Sequence, residues 1–204
     1  LLTAGIYREK DFSAFLLAML VCLVVGVPLT RKKPKNKVFY IKDGCVAVAL
    51  SWLALCIFGS IPFVVSGCIP HPIDALFETV SGFTTTGSSI LSDVEVLPHC
   101  ILIWRSFTHW IGGMGVLVFL LSLLPLAGGY HMNLMKAESP GPSVSKLVPK
   151  VQSTAKILYT IYFGMTLIQL ALLLIGRVPL FDSLCITFGT AGTGGFGIVN
   201  DSLG

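Results

Sequence analysis

From Phe12 to Leu29 the chain runs for eighteen residues without a charged side chain, and a basic run follows at once. That is close to the length a helix needs to cross about 30 Å of hydrocarbon, roughly 20 apolar residues. Three more runs repeat the feature: Gly44 to Gly67, Cys100 to Leu126 with only Arg105 interrupting, and Ile157 to Gly176. Composition agrees. Of 204 residues 54% are hydrophobic and 12% charged, against about 25% charged in ordinary soluble domains, and the mean hydropathy is +0.85. A soluble fold of this length could not hide so much apolar surface. Low charge and thirteen Phe exclude disorder. A net charge of +4, without a basic polar surface, argues against nucleic acid. The first run lies between charged flanks with no cleavage-like site, so it does not read as a signal peptide.

The connections between runs differ in sign. The first carries Arg31, Lys32, Lys33, Lys35, Lys37 and Lys42; the third carries Lys136, Lys146, Lys150 and Lys156. The second, from Gly67 to Ile103, has no Lys or Arg but holds Asp74, Glu78, Asp93 and Glu95. The positive-inside rule places the two basic connections in the cytoplasm and the acidic one outside, which is consistent with four spans. The basic run also suits lipid headgroups.

Two segments are apolar but too short to span. Each opens near a proline, Pro72 or Pro179, placed for a first helical turn. Each carries an early acid, Asp74 or Asp182, suited to the helix N-terminal dipole. Each offers about ten helix-compatible residues, a rise of about 15 Å, before dissolving into Thr, Ser and Gly. At a constant offset Asp74 falls on Asp182, Leu76 on Leu184, Thr79 on Thr187, Thr85 on Thr193 and Gly87 on Gly195. With the surrounding order of basic loop, span, half-helix and polar loop, this is an internal repeat. Two spans per unit keep the copies parallel, unlike an inverted-repeat transporter.

A loop such as Thr84-Thr85-Thr86-Gly87-Ser88-Ser89 at membrane depth must be lined by protein or water. A half-helix entering from outside aims its partly negative C-terminal end at the midplane. Glycine then lets carbonyls turn inward, as in a filter that replaces a cation's hydration shell; a side chain at Gly87 or Gly195 is expected to obstruct that turn. Glu78 reads as a hydrogen-bonded structural carboxylate ahead of a direct ion site, and Arg105 as snorkelling or paired with an acid. Gly112, Gly113 and Gly115 break the third run and suit close helix packing, with a flexible point near the pore as the alternative. His71, His99, His109 and His131 lack metal-ligand spacing. The six cysteines, Cys22, Cys45, Cys56, Cys68, Cys100 and Cys185, read as small buried hydrophobes, with one Cys68–Cys100 bridge left open. No nucleophile–base, Walker or dinucleotide motif is present, so no enzyme is expected.

Five stretches in order resemble the TrkH-type potassium uptake proteins of the Trk/Ktr/HKT superfamily: LSWLALCIFGSIPF, ALFETVSGFTTTGSSIL, WRSFTHWIGGMGVLVFLLSLLP, MKAESPGP and GTGGFGIVNDSLG. The resemblance implies an all-α membrane protein of parallel repeats, each a transmembrane helix, a re-entrant pore helix with its filter loop, and a second transmembrane helix. It implies potassium (K+) as transported ion, with Thr85, Thr86 and Gly87 as the first filter strand and Thr193, Gly194 and Gly195 as the second. It further implies a multi-pass protein of the bacterial plasma (inner) membrane, a homodimer at full length, and a TrkA-like cytoplasmic nucleotide-binding regulatory subunit docking on the Tyr130–Lys156 loop. The expected divisions are 1–42, an N-terminal transmembrane helix and basic loop; 43–128, the first pore repeat; 129–156, a cytoplasmic loop; and 157–204, a second repeat lacking its last helix. The chain is expected to be a fragment holding half a filter, which alone should not conduct. Two rivals remain: a secondary transporter of another solute with broken helices around a midplane site, and a non-transport membrane scaffold.

Overall fold

The structure, a computed structural model, describes residues 2–31, 41–115 and 151–201. Among them are seven helices and no strand: α1 (Leu2–Ile6), α2 (Phe12–Arg31), α3 (Ile41–Ser66), α4 (Pro72–Phe83), α5 (His99–Met114), α6 (Val151–Ile175) and α7 (Leu180–Ala191). Most of the first basic connection, the stretch 116–126 of the third apolar run and the Tyr130–Lys150 part of the later loop lie outside the described residues.

Among the described residues three helices are long and apolar enough to cross a membrane: Phe12–Arg31, Val46–Ser66 within α3 and Lys156–Ile175 within α6. Their outward faces are built like lipid-facing surfaces. α2 buries only Ala14 and Ala18, while Leu16, Leu20, Leu23 and Val24 stay exposed. The third run behaves differently: α5 stops at Met114, where the C-cap Gly115 takes a φ of 69° and its N–H bonds the Gly112 carbonyl. The helix that carries the fourth run, α6, begins at Val151, while its span-like part begins at Lys156, next to the expected Ile157.

Apolar packing concentrates where α1, the end of α3 and the starts of α4 and α5 meet, with Ala4, Phe63, Ile69, Ala75, Leu97, Cys100 and Ile101 buried together. The Cys68 and Cys100 thiols there are free, so the bridge left open by the sequence is not formed. Glu9 ties the same end together. Its carboxylate accepts the His99 N–H at 2.8 Å and the Cys100 N–H at 3.0 Å, capping α5 from the chain's N-terminal segment. Tyr7 stacks on the His99 ring, which meets Phe181 of α7 edge-on. The N-termini of α5 and α7 therefore lie at one level.

Two indole contacts anchor α5 to the spans. Trp104 Nε1–H donates to the Gly59 carbonyl of α3 at 3.0 Å, and Trp110 Nε1–H donates to Thr166 Oγ1 of α6 at 3.1 Å.

Candidate functional site

α4 and α7 are the two short segments of the sequence, twelve residues each, or about 18 Å of rise. Their bounds differ by the same offset as the sequence matches. Pro72 stands at N1 of α4, whereas Pro179 is the N-cap of α7, one place earlier than expected. Neither start has a side-chain cap, and Asp74 and Asp182 sit in the first turns, where the dipole favours an acid.

Both helices end alike. Thr84, Thr85 and Thr86 N–H donate to the carbonyls of Val80, Gly82 and Ser81; Gly192, Thr193 and Gly194 donate to Phe188, Thr190 and Gly189. This is a Schellman-type close, with threonine in the left-handed position that glycine usually holds: φ is 55° at Thr85 and 56° at Thr193. The next positive φ values come two residues later, at Gly87 (76°) and Gly195 (85°). In a regular strand successive carbonyls alternate sides; alternating the sign of φ turns them toward one side.

The cap shifts the free oxygens. The carbonyls of residues 80–82 and 188–190 are taken by the loops' own N–H groups. Among the described residues none of the carbonyls of Thr85, Thr86, Gly87, Thr193, Gly194 and Gly195 accepts a hydrogen bond. The loop, rather than the helix end, thus carries the available oxygens. Thr84 Oγ1 bonds the Val80 carbonyl at 2.7 Å and lies 2.8 Å from Thr86 Oγ1.

The two loops meet. A Cβ at Gly87 would run into the Gly194 carbonyl, whereas one at Gly195 would meet nothing within 4 Å. The expectation of obstruction therefore holds at Gly87 on space and backbone; at Gly195 only the backbone conformation asks for glycine. Gly87 and Gly195 border one cavity of about 170 Å³, together with Ser89, Arg105, Gly197 and Asn200.

Behind the loops lies a buried ion pair. Arg105 Nε donates to Glu78 Oε1 at 2.7 Å, with side chains 2% and 0% exposed. Ser89 Oγ donates to the Glu78 carboxylate at 3.0 and 3.1 Å, and the Ile90 N–H donates to Oε2 at 3.0 Å. Arg105 also donates to Ser89 Oγ at 3.1 Å and to the Gly197 carbonyl at 3.2 Å. Its guanidinium lies 4.1 Å from the Phe196 ring centroid. Of the two roles considered for Arg105, pairing with an acid is the one found. One pair holds both loops, satisfying the requirement that buried charges be compensated.

The glycines of α5 do what their spacing suggested. A Cβ at Gly112 would collide with the Phe83 carbonyl at the end of α4, and one at Gly113 would lie 2.7 Å from the Gly192 Cα at the end of α7. α4 and α7 therefore run in the same sense as α5, from shared N-terminal level to shared C-terminal level.

Sequence reasoning missed three contributors. Glu9 is one. Asn200 is the second: its Oδ1 accepts the Val94 N–H at 2.8 Å, its Nδ2 donates to Asp93 Oδ1 at 2.9 Å, and its own N–H donates to Glu95 Oε1 at 3.0 Å. The third is His109, fully buried and stacked on Phe196 at 4.1 Å. None sits in a periodic pattern, and their partners are remote in sequence.

The TrkH family model, a cation transport protein, matches residues 11–204. The chain belongs to the TrkH family. It is 37% identical to the Trk system potassium uptake protein TrkH of Salmonella typhimurium, over 100% of this chain and 43% of that protein. It is 33% identical to the Halomonas elongata TrkH, with the same two coverages, and 36% identical to an uncharacterised cation transporter of Methanocaldococcus jannaschii, over 97% of this chain and 41% of that one. The crystal structure of the potassium transporter TrkH from Vibrio parahaemolyticus superposes with a TM-score of 0.77 at 29% identity, covering 99% of this chain and 40% of that one. The chain spans less than half the length of these TrkH relatives.

Proposed function

We propose that this TrkH-family chain is part of a bacterial inner-membrane protein for potassium uptake, and that Thr85, Thr86 and Gly87 with Thr193, Gly194 and Gly195 form two strands of its selectivity filter. The observation that carries the reading is the pair of identical caps: two half-helices running in parallel, each closing on its own loop and leaving three consecutive carbonyls unbonded among the described residues. Dehydrated potassium would exchange water oxygens for these carbonyls, and the half-helix dipoles favour a cation there. No chemical step is involved. Residues 43–128 and 157–204 would be the first two pore repeats, and the 129–156 loop, with a homodimer and a nucleotide-binding TrkA-like subunit, would provide regulation.

The test is rubidium and sodium uptake by the complete protein in liposomes. Gly87→Val places a branched side chain against the Gly194 carbonyl and is expected to abolish rubidium flux or its preference over sodium. Native flux and preference would refute the filter. The inverted-repeat rival makes a different forecast: cysteines replacing Lys37 and Lys146 would label from opposite sides, whereas parallel repeats put both in the cytoplasm.

A further inference from the structure

One fully buried side chain beside the second loop has no role in the proposal above. His109 lies one helical turn beyond Arg105 on α5 and is 0% exposed. A Cβ on Gly194 would run into its Nδ1, Cγ and Cε1 atoms, and a Cβ on Gly192 would run into its carbonyl. Phe196 stacks on the ring at 21° between planes. Three of the five residues from Gly192 to Phe196 thus rest on this one residue. We infer that His109 is a positioning residue that fixes the cross-section of the second filter strand and with it the preference for potassium over sodium. The inference rests on the filter reading.

Comparison of the two loops isolates the reason. At the repeat offset Gly192 corresponds to Thr84 and Gly194 to Thr86. Thr84 and Thr86 are exposed, whereas Gly192 and Gly194 are buried. Gly194 has no positive φ, so its backbone does not ask for glycine. The missing side chain is explained by the imidazole standing in its place. The second loop has exchanged two threonines for contact with a helix of the preceding repeat.

Bulk and shape are what the ring supplies. Among the described residues neither ring nitrogen has a hydrogen-bond partner. Whether cavity size or the number of coordinating carbonyls governs selectivity, a strand free to recede from the ion alters both. Removing a large buried side chain leaves space into which neighbours relax only partly.

The experiment measures rubidium and sodium uptake by the complete protein in liposomes, per amount of monodisperse protein. His109→Ala is expected to lower the rubidium-over-sodium ratio about tenfold, and His109→Phe, which keeps a flat ring, to stay near native. Gly194→Thr, which copies the first loop, is expected to lose selectivity against the imidazole. The His109→Ala/Gly194→Thr double variant is expected to recover most of it, a rescue that general destabilisation would not give. Should His109→Ala fail to accumulate, His109→Leu carries the same expectation. A native ratio in the shortened variants, or a double variant no better than Gly194→Thr, overturns the inference. With Gly87→Val run alongside, an altered Gly87→Val beside a native His109→Ala overturns the inference alone; a native Gly87→Val overturns the filter reading and this inference with it.

Discussion

Arg105 divides its hydrogen bonds among Glu78, Ser89 and Gly197, so a single guanidinium touches α4 and both loops. Removing one partner of a buried pair strands the other charge, at a cost of about 3–5 kcal/mol. Arg105→Met is therefore expected to lower thermal stability markedly in detergent, and Glu78→Gln/Arg105→Met to lower it less than Arg105→Met alone; equal losses would show that the pair is not coupled. The sequence made part of this legible, because a lone arginine in an apolar run must snorkel or pair. Which acid it would choose depended on how α4 lies against α5, and no local signal carries that. Glu9 was less legible still, lying 90 residues from the His99 N–H it accepts. Burial opposes its ionisation, but hydrogen bonds from Cys100 and His99 outweigh this and hold its carboxyl below the usual glutamate value. A depressed folded value means that its stabilisation is present above the unfolded carboxylate range and disappears as pH falls through the folded value. The N-terminal end of α5 is expected to lose hydrogen-exchange protection, relative to the intrinsic rate, on acidification, and Glu9→Gln to flatten that dependence.

At the scale of elements, α5 is the helix against which both short helices end. Gly112→Ala pushes against the Phe83 carbonyl and is expected to displace α4 and abolish rubidium uptake. Gly164→Ala on α6, where an added Cβ meets nothing within 4 Å, is expected to leave uptake intact and to stabilise by about 0.5–1 kcal/mol. Equal behaviour of the two alanines in an uptake assay would contradict the packing described. The short helices were readable to within about a turn, because proline and acid mark their starts and threonine and glycine their ends. The stop of α5 at Met114 was not: apolar residues continue past Gly115, and hydropathy does not register the positive φ that ends the helix. The need for glycine at Gly195 was readable from the repeat, but the open space around it was not, since that depends on how two loops face each other.

Across the whole molecule, Asn200 joins the loop after α7 to the Asp93–Glu95 segment that precedes α5. Asn200→Ala removes two side-chain bonds and is expected to raise hydrogen exchange at Val94 while sparing α2; unchanged exchange at Val94 would argue that the contact carries no weight. The two short helices run in the same sense, yet α7 is not self-sufficient, for α5 lends Arg105, His109 and Gly113 to it and its loop. Arg105 and the Gly197 carbonyl it holds are separated by 92 residues. While the ribosome is still making that intervening stretch, α5 has an imidazole face and a glycine notch that nothing covers, and its guanidinium, already held by Glu78 and Ser89, lacks one acceptor. The seam closes only when α7 and its loop pack beside α5, so this helix's surroundings are completed by chain made later.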